Sequence, residues 1–215
     1  PEITLEDSTR IKAKLLVGAD GRNSKARDQA GIKISKQLYG QSAITCLLSH
    51  ELDHNNTATE FHRKGGPFAL VPLPGKNVSL VWVERTQDAE DLLKRPKEDF
   101  LQVLQDKTNG ILGKVTLQTP AQSWPLCSIK AHRLTAPGIA LIAEAAHVMS
   151  PITAQGLNLS LRDVAALAEI IVDAMRLGFE PSHSSVLKTY EKRRSLDITT
   201  RVSGVNAMNR IVSTD

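Results

Sequence analysis

Apolar and polar positions alternate from the first residues. Ile3 and Leu5, then Ile11 and Ala13, flank a polar stretch and predict a small hairpin. It leads into Leu15-Leu16-Val17-Gly18-Ala19, a short apolar run that predicts a buried strand. Asp20-Gly21 predicts a tight turn, Asn23 or Ser24 a helix cap, and 25–30 a short helix closed by Gly31. Between Tyr39 and Val83 the period is two. Segments 41–49, 57–63, 67–73 and 77–84 predict strands of an antiparallel sheet, separated by Asp-, Asn-, Gly- and Pro-rich turns. A helical stretch over 88–108 is split by Pro96, and a further strand is expected over about 115–129. A second short apolar strand, 138–142, repeats the character of the first.

From Gly156 the spacing turns helical. Leu157, Leu161, Val164, Leu167, Ala168, Ile171, Val172 and Met175 predict the buried face of a long amphipathic helix that ends at Gly178. A last helix, about 184–212, carries Leu187, Tyr190, Ile198, Val202, Val205 and Val212 on one seam. The expected fold class is mixed α/β (α+β). A partial Rossmann-like portion, 1–34 and 131–180, brackets an inserted antiparallel sheet, 35–130, and a helical tail, 181–215, follows.

Composition narrows the function classes. The chain has 215 residues with 27 Lys+Arg against 23 Asp+Glu, a small positive excess spread along its length. Aromatic residues make up 4% and no long basic run occurs, which argues against nucleic-acid binding. Cys46 and Cys127 lie far apart in apolar segments and are expected to be buried, reduced thiols. The six His and two Cys show no metal-ligand spacing, and no G-x-S-x-G elbow is present. No apolar stretch is long enough for a transmembrane helix. The opening Pro-Glu-Ile-Thr reads as if cut from something longer.

Two segments carry the candidate chemistry, and each ends a predicted buried strand. In Gly18-Ala19-Asp20-Gly21-Arg22-Asn23-Ser24-Lys25-Ala26-Arg27 the strand delivers Asp20 to the edge where open α/β sheets bind ligands. The helix start beyond it offers N–H groups to an anion. Residues 140–163 form the second segment. There a strand delivers Glu144, Pro151 breaks the chain, and Gln155-Gly156 opens the long helix, whose N-terminal partial positive charge faces the same edge. His147, among small residues, reads more naturally as a packed structural group than as a base.

Together these segments resemble the second and third FAD fingerprints of the class A flavoprotein monooxygenases, the aromatic hydroxylases. The first matches G-A-D-G-x-x-S-x-x-R, and the second resembles G-D-A-A-H-x-x-x-P-x-x-G-Q-G-x-N-x-x-x-x-D. The tail Tyr190-Glu191-Lys192-Arg193-Arg194-Ser195-Leu196-Asp197 is similar to the Y-E-x-x-R-x-x-D of ubiquinone-biosynthesis hydroxylases. Gly66-Pro67-Phe68-Ala69-Leu70-Val71-Pro72-Leu73-Pro74 is similar to a strand pair of their substrate domain.

The resemblance implies an FAD-dependent monooxygenase that uses NAD(P)H and O2 to hydroxylate an aromatic ring. The implied substrate is a polyprenylated phenol of ubiquinone biosynthesis, in the cytoplasm with peripheral contact at the inner membrane. It places Asp20 and Gly21 near the FAD pyrophosphate, with Arg27 supporting that loop. Glu144 stands where the family has the Asp that holds ribose or ribityl hydroxyls. Pro151, Gln155, Gly156, Leu157 and Asn158 are implied along the isoalloxazine ring, and no side chain is assigned a catalytic proton transfer. The basic residues Lys188, Lys192, Arg193, Arg194 and Arg201 suit either a solvated face or an anionic membrane surface.

The chain departs from the family pattern at three points. Ala143-Glu144 replaces Gly-Asp, Ala154 replaces a Gly, and no G-x-G-x-x-G is present, so the ADP-binding unit is expected ahead of Pro1. A non-catalytic, hydroxylase-like accessory protein that binds a lipid or a partner is the alternative these departures leave open.

Overall fold

A computed structural model describes residues 1–213. In chain order the strands are β1 (Glu2–Thr4), β2 (Arg10–Lys12), β3 (Leu16–Gly18), β4 (Ile34–His50), β5 (Thr59–Arg63) and β6 (Gly66–Leu73). They continue with β7 (Asn77–Arg85), β8 (Val115–Leu117), β9 (Gln122–Ala131), β10 (Thr135–Ala136), β11 (Ile139–Leu141) and β12 (His147–Val148). The helices are α1 (Lys25–Gln29), α2 (Thr86–Leu93), α3 (Lys97–Lys107), α4 (Gly156–Arg176) and α5 (Ser184–Ser213). The chain divides into two compact units: Pro1–Gln37 with Cys127–Ala207, and Leu38–Leu126 with the chain from Met208 onward. The fold class is mixed α/β, as expected from the sequence.

In the first unit β1 and β2 pair antiparallel as the predicted hairpin. The apolar runs form a small sheet in the order β10-β11-β3, in which β11 and β3 run parallel with Leu141 beside Gly18. That register brings the loops after both strands to one sheet edge. A Cβ on Gly18 would lie 2.7 Å from Leu141 Cδ2 and 3.1 Å from Ala26 Cβ, so the close approach of β3, β11 and α1 requires a residue without a side chain. Leu141, Leu159, Leu167, Leu187, Tyr190, Ile198 and Val202 form the core beneath. The seam expected for α5 is therefore buried where it is described, and the side chain of Val212 lies outside the described residues.

The buried face of α4 is the expected one only in part: Leu167 is buried and Ile171 packs against the core, but the face is turned from the predicted stripe. Leu159, Asp163, Ala166 and Leu167 point inward, whereas Leu157, Leu161, Val164, Val172 and Met175 are exposed. Apolar residues fall on more than one side of this helix, and a buried Asp sits among the inward ones, so spacing alone did not distinguish the buried side.

In the second unit β4, β7, β6 and β5 are antiparallel neighbours in that order, as the period of two predicts. Phe68, Leu70, Val78, Leu80 and Trp82 pack against Ala89 and Leu92 of α2 and Phe100 and Leu104 of α3. Pro96 separates those helices. The single strand expected over 115–129 is two strands, broken where Pro120 supplies no N–H for a ladder; next to it, Thr119 Oγ1 accepts the Leu47 N–H at 2.9 Å. Cys46 and Cys127 are buried free thiols, and burial pushes the Cys46 thiol up to about 12.

Candidate functional site

The loop after β3 is built around Asp20. Its Oδ1 accepts the Ser24 hydroxyl and its Oδ2 the Ala26 N–H at 3.0 Å, while Ser24 Oγ accepts the Arg27 N–H at 3.0 Å and caps α1. Burial works to raise the Asp20 pKa, but these hydrogen bonds outweigh it and hold the carboxyl below its usual range. Gly21, at φ +82°, makes the turn.

Arg27 is buried and reaches out of this loop. Its Nη1 donates to the Arg22 carbonyl at 3.1 Å and to the Ala145 carbonyl at 3.2 Å, which ties the first motif to the second. Arg22 meets Glu144 across the same gap, with Nε 3.4 Å from Oε2. Both side chains are about half exposed, so the pair is weak and can open to a ligand. The motif pattern assigns Arg22 no role; its place between Gly21 and Ser24, two fixed motif positions, is the sequence signal that points to it.

The second motif is held from inside by a residue the sequence reading did not single out. Asp163, on α4, is fully buried. Its Oδ2 accepts the Ala143 N–H at 3.0 Å and the His147 Nε2–H at 2.6 Å, and its Oδ1 accepts Arg194 Nε at 2.8 Å. His147 is therefore a packed structural group. Arg194 continues to Asp197 at 2.7 Å, Asp197 to Arg201 Nε at 2.7 Å, and Arg201 Nη1 to Gln155 Oε1 at 2.9 Å. Burial raises the Asp197 pKa, but the Arg194 and Arg201 guanidiniums hold its carboxyl below the usual range.

Tyr190 donates its hydroxyl to the Leu141 carbonyl at 2.9 Å, and Glu191 accepts the Leu134 N–H and the Thr135 hydroxyl. Burial first, and then the Asp163 charge, raise the Tyr190 pKa and keep the phenol neutral. The Y-E-x-x-R-x-x-D run is thus a brace for the motif ends. The spacing of Tyr190, Arg194, Asp197 and Arg201, on one face of α5, was the signal for it. Of the five basic residues considered for a membrane surface, Arg193, Arg194 and Arg201 are committed to Glu169, Asp163 and Asp197.

The turn at Pro151–Thr153 leads through Ala154, at φ +49°, into α4. Ala143 is also left-handed, at φ +55°, so both alanines noted in the sequence as standing for glycines adopt the backbone a glycine would take. Gln155 precedes α4 and supplies no side-chain cap, which leaves the N–H groups of the first turn for a ligand.

Several features fit FAD at this edge. A Cβ at Gly21 or Gly156 would enter open space, so the chain's own packing does not fill the region beside either backbone. The hydroxyl of Thr153 is buried without a hydrogen-bond partner. Pro151, Gly156, Leu157 and Asn158 are exposed around the helix start. Among the described residues no group of His, Cys, Asp and Glu could hold a metal ion, and no helix is long and apolar enough to cross a membrane.

Residues 3–203 match a protein family described as an FAD binding domain. The chain is 41% identical over 212 residues to the ubiquinone hydroxylase UbiL of Rhodospirillum rubrum, covering 99% of this chain and 49% of that protein. It is 33% identical over 205 residues to the 3-demethoxyubiquinol 3-hydroxylase of Escherichia coli, covering 95% and 52%. Among solved structures, PqsL of Pseudomonas aeruginosa in complex with 2-aminobenzoylacetate aligns with a TM-score of 0.84 at 22% identity, over 99% of this chain and 59% of that one. The chain spans about half the length of the curated relatives it matches.

Proposed function

The chain belongs to the FAD-binding-domain family, and from that premise we propose that it forms part of the flavin site of a monooxygenase that hydroxylates an aromatic ring. The observation that carries this reading is the joining of the two loops by Arg27 and the Arg22–Glu144 pair, with the α4 N-terminus on the second loop. Bound FAD would accept a hydride from NAD(P)H and activate O2. The chain's own residues hold it. Glu144 accepts hydrogen bonds from sugar or ribityl hydroxyls once Arg22 yields. Asp20, Gly21 and Arg27 set the loop beside the pyrophosphate. Pro151, Gln155, Gly156, Leu157 and Asn158 line the ring, and the uncapped start of α4 offers N–H donors to negative charge at its edge.

The names of the relatives support a ring substrate of ubiquinone biosynthesis, and a polyprenyl tail on it would bring the protein into peripheral contact with the inner membrane, from the cytoplasm. The test is to load the protein with FAD and follow NAD(P)H consumption and product formation with a polyprenylated phenol and with its tail-free analogue. The expected result is hydroxylated product, formed faster from the prenylated phenol. FAD loading with no product from either phenol would contradict the hydroxylase reading. A non-catalytic accessory role predicts no FAD loading at all.

A further inference from the structure

Gln155 is the last residue before α4, and Arg201 Nη1 lies 2.9 Å from its Oε1. An arginine only donates, so the group facing it must be the amide oxygen, and the NH2 is the part of Gln155 left to donate elsewhere. Arg201 is itself fixed, because its Nε donates to Asp197, which also receives Arg194, and Arg194 is anchored on buried Asp163. The contact opens on a groove of about 390 Å³ lined by Gln155, Asn158, Leu159, Leu161, Arg162 and Arg201. Arg201 and Arg162 both line that groove and both pair with the Asp197 carboxylate, at 2.7 and 3.6 Å, so Asp197 fixes the two guanidiniums beside the positive end of α4.

We propose that Arg201 is a positioning residue: by holding the Gln155 carbonyl oxygen it presents the Gln155 NH2, and with it the opening of α4, to an acceptor edge of the bound ligand. This rests on the FAD reading above. It deepens that reading by stating that the ligand's edge at α4 accepts hydrogen bonds, and by naming the residue that turns the Gln155 NH2 toward it.

The test is a double-mutant cycle on the purified chain. FAD affinity is read by quenching of flavin fluorescence, and the Tm without FAD checks the fold. Arg201→Met is expected to raise the Kd for FAD about tenfold, the size of one charge-assisted contact. Arg201→Lys, which keeps a donor, is expected to recover most of that loss. Gln155→Glu keeps an oxygen for Arg201 but removes the NH2, and is expected to weaken FAD binding as much as Gln155→Ala. In the Gln155→Ala background, Arg201→Met should add nothing further. Additive losses in the cycle, or tight binding by Gln155→Glu, would overturn the proposal and leave the FAD reading standing. Failure of the unsubstituted chain to quench FAD would overturn both together. If Arg201→Met lowers the Tm without FAD by more than a few degrees, the comparison of Gln155→Glu with Gln155→Ala decides in its place.

Discussion

A single carboxylate, Asp163, receives a backbone N–H, a histidine and an arginine while fully buried. Replacing one member of such a cluster leaves the others desolvated without their counter-charge, which costs about 3–5 kcal/mol. Asp163→Asn is expected to lower the Tm by roughly 6–20 °C by calorimetry, at about 2–4 °C per kcal/mol for a chain of this size. An unchanged Tm would mean that the cluster does not carry the second motif. The two left-handed alanines make the opposite case. An L-residue in that conformation costs roughly 1–2 kcal/mol, and glycine gives back about 0.4–1 through the freer unfolded chain. Ala154→Gly is expected to stabilise by about 0.5 kcal/mol, measured as the midpoint of urea unfolding, and the same holds for Ala143→Gly. Both alanines were legible in the sequence as departures, because their neighbours matched a glycine-containing pattern. Their conformations needed the backbone.

Packing and charge lock the elements around the site in different ways. β3, β11 and α1 meet at Gly18, where an added methyl lies too close to Leu141 and Ala26. Gly18→Ala is expected to cost about 1–3 kcal/mol by overpacking, again read from denaturant midpoints. α4 and α5 are joined instead through Asp163, Arg194, Asp197 and Arg201. Asp197 and Asp20 have folded-state pKa values below those of the unfolded chain, so the stability they add is fully present above about pH 4 and is lost as pH falls through the lowered values. Stability from these groups should be flat between about pH 5 and 8 and decline in more acid solution. Asp197→Asn should flatten that acid limb, which a pH series of thermal melts would show. An acid limb as steep in Asp197→Asn as in the parent chain would contradict the assignment.

Strand and helix identities were readable because the period switches cleanly from two to 3.6 along the chain. What the sequence could not supply was long-range pairing. The buried side of α4 was ambiguous because apolar residues fall on more than one of its sides, and the spacing of Tyr190, Arg194, Asp197 and Arg201 marked one face of α5 without showing the partner on α4 that distinguishes a brace from a solvated face.

At the scale of the whole molecule, both fingerprints lie in one compact unit, residues 1–37 with 127–207, and converge on one sheet edge. The positions that met there were legible from the order of glycines, acids and the helix start. The links between them, Arg27 to Ala145 and Arg22 to Glu144, were not, since they join residues more than a hundred positions apart. The most direct test is a titration of the purified chain with FAD, following quenching of flavin fluorescence, beside Glu144→Ala and Gly156→Val. Saturable quenching is expected of the parent chain, weakened by Glu144→Ala and largely abolished by Gly156→Val, whose side chain would fill the open space beside the helix start. Equal quenching by all three proteins, or none by the parent chain, would contradict a flavin site at this edge.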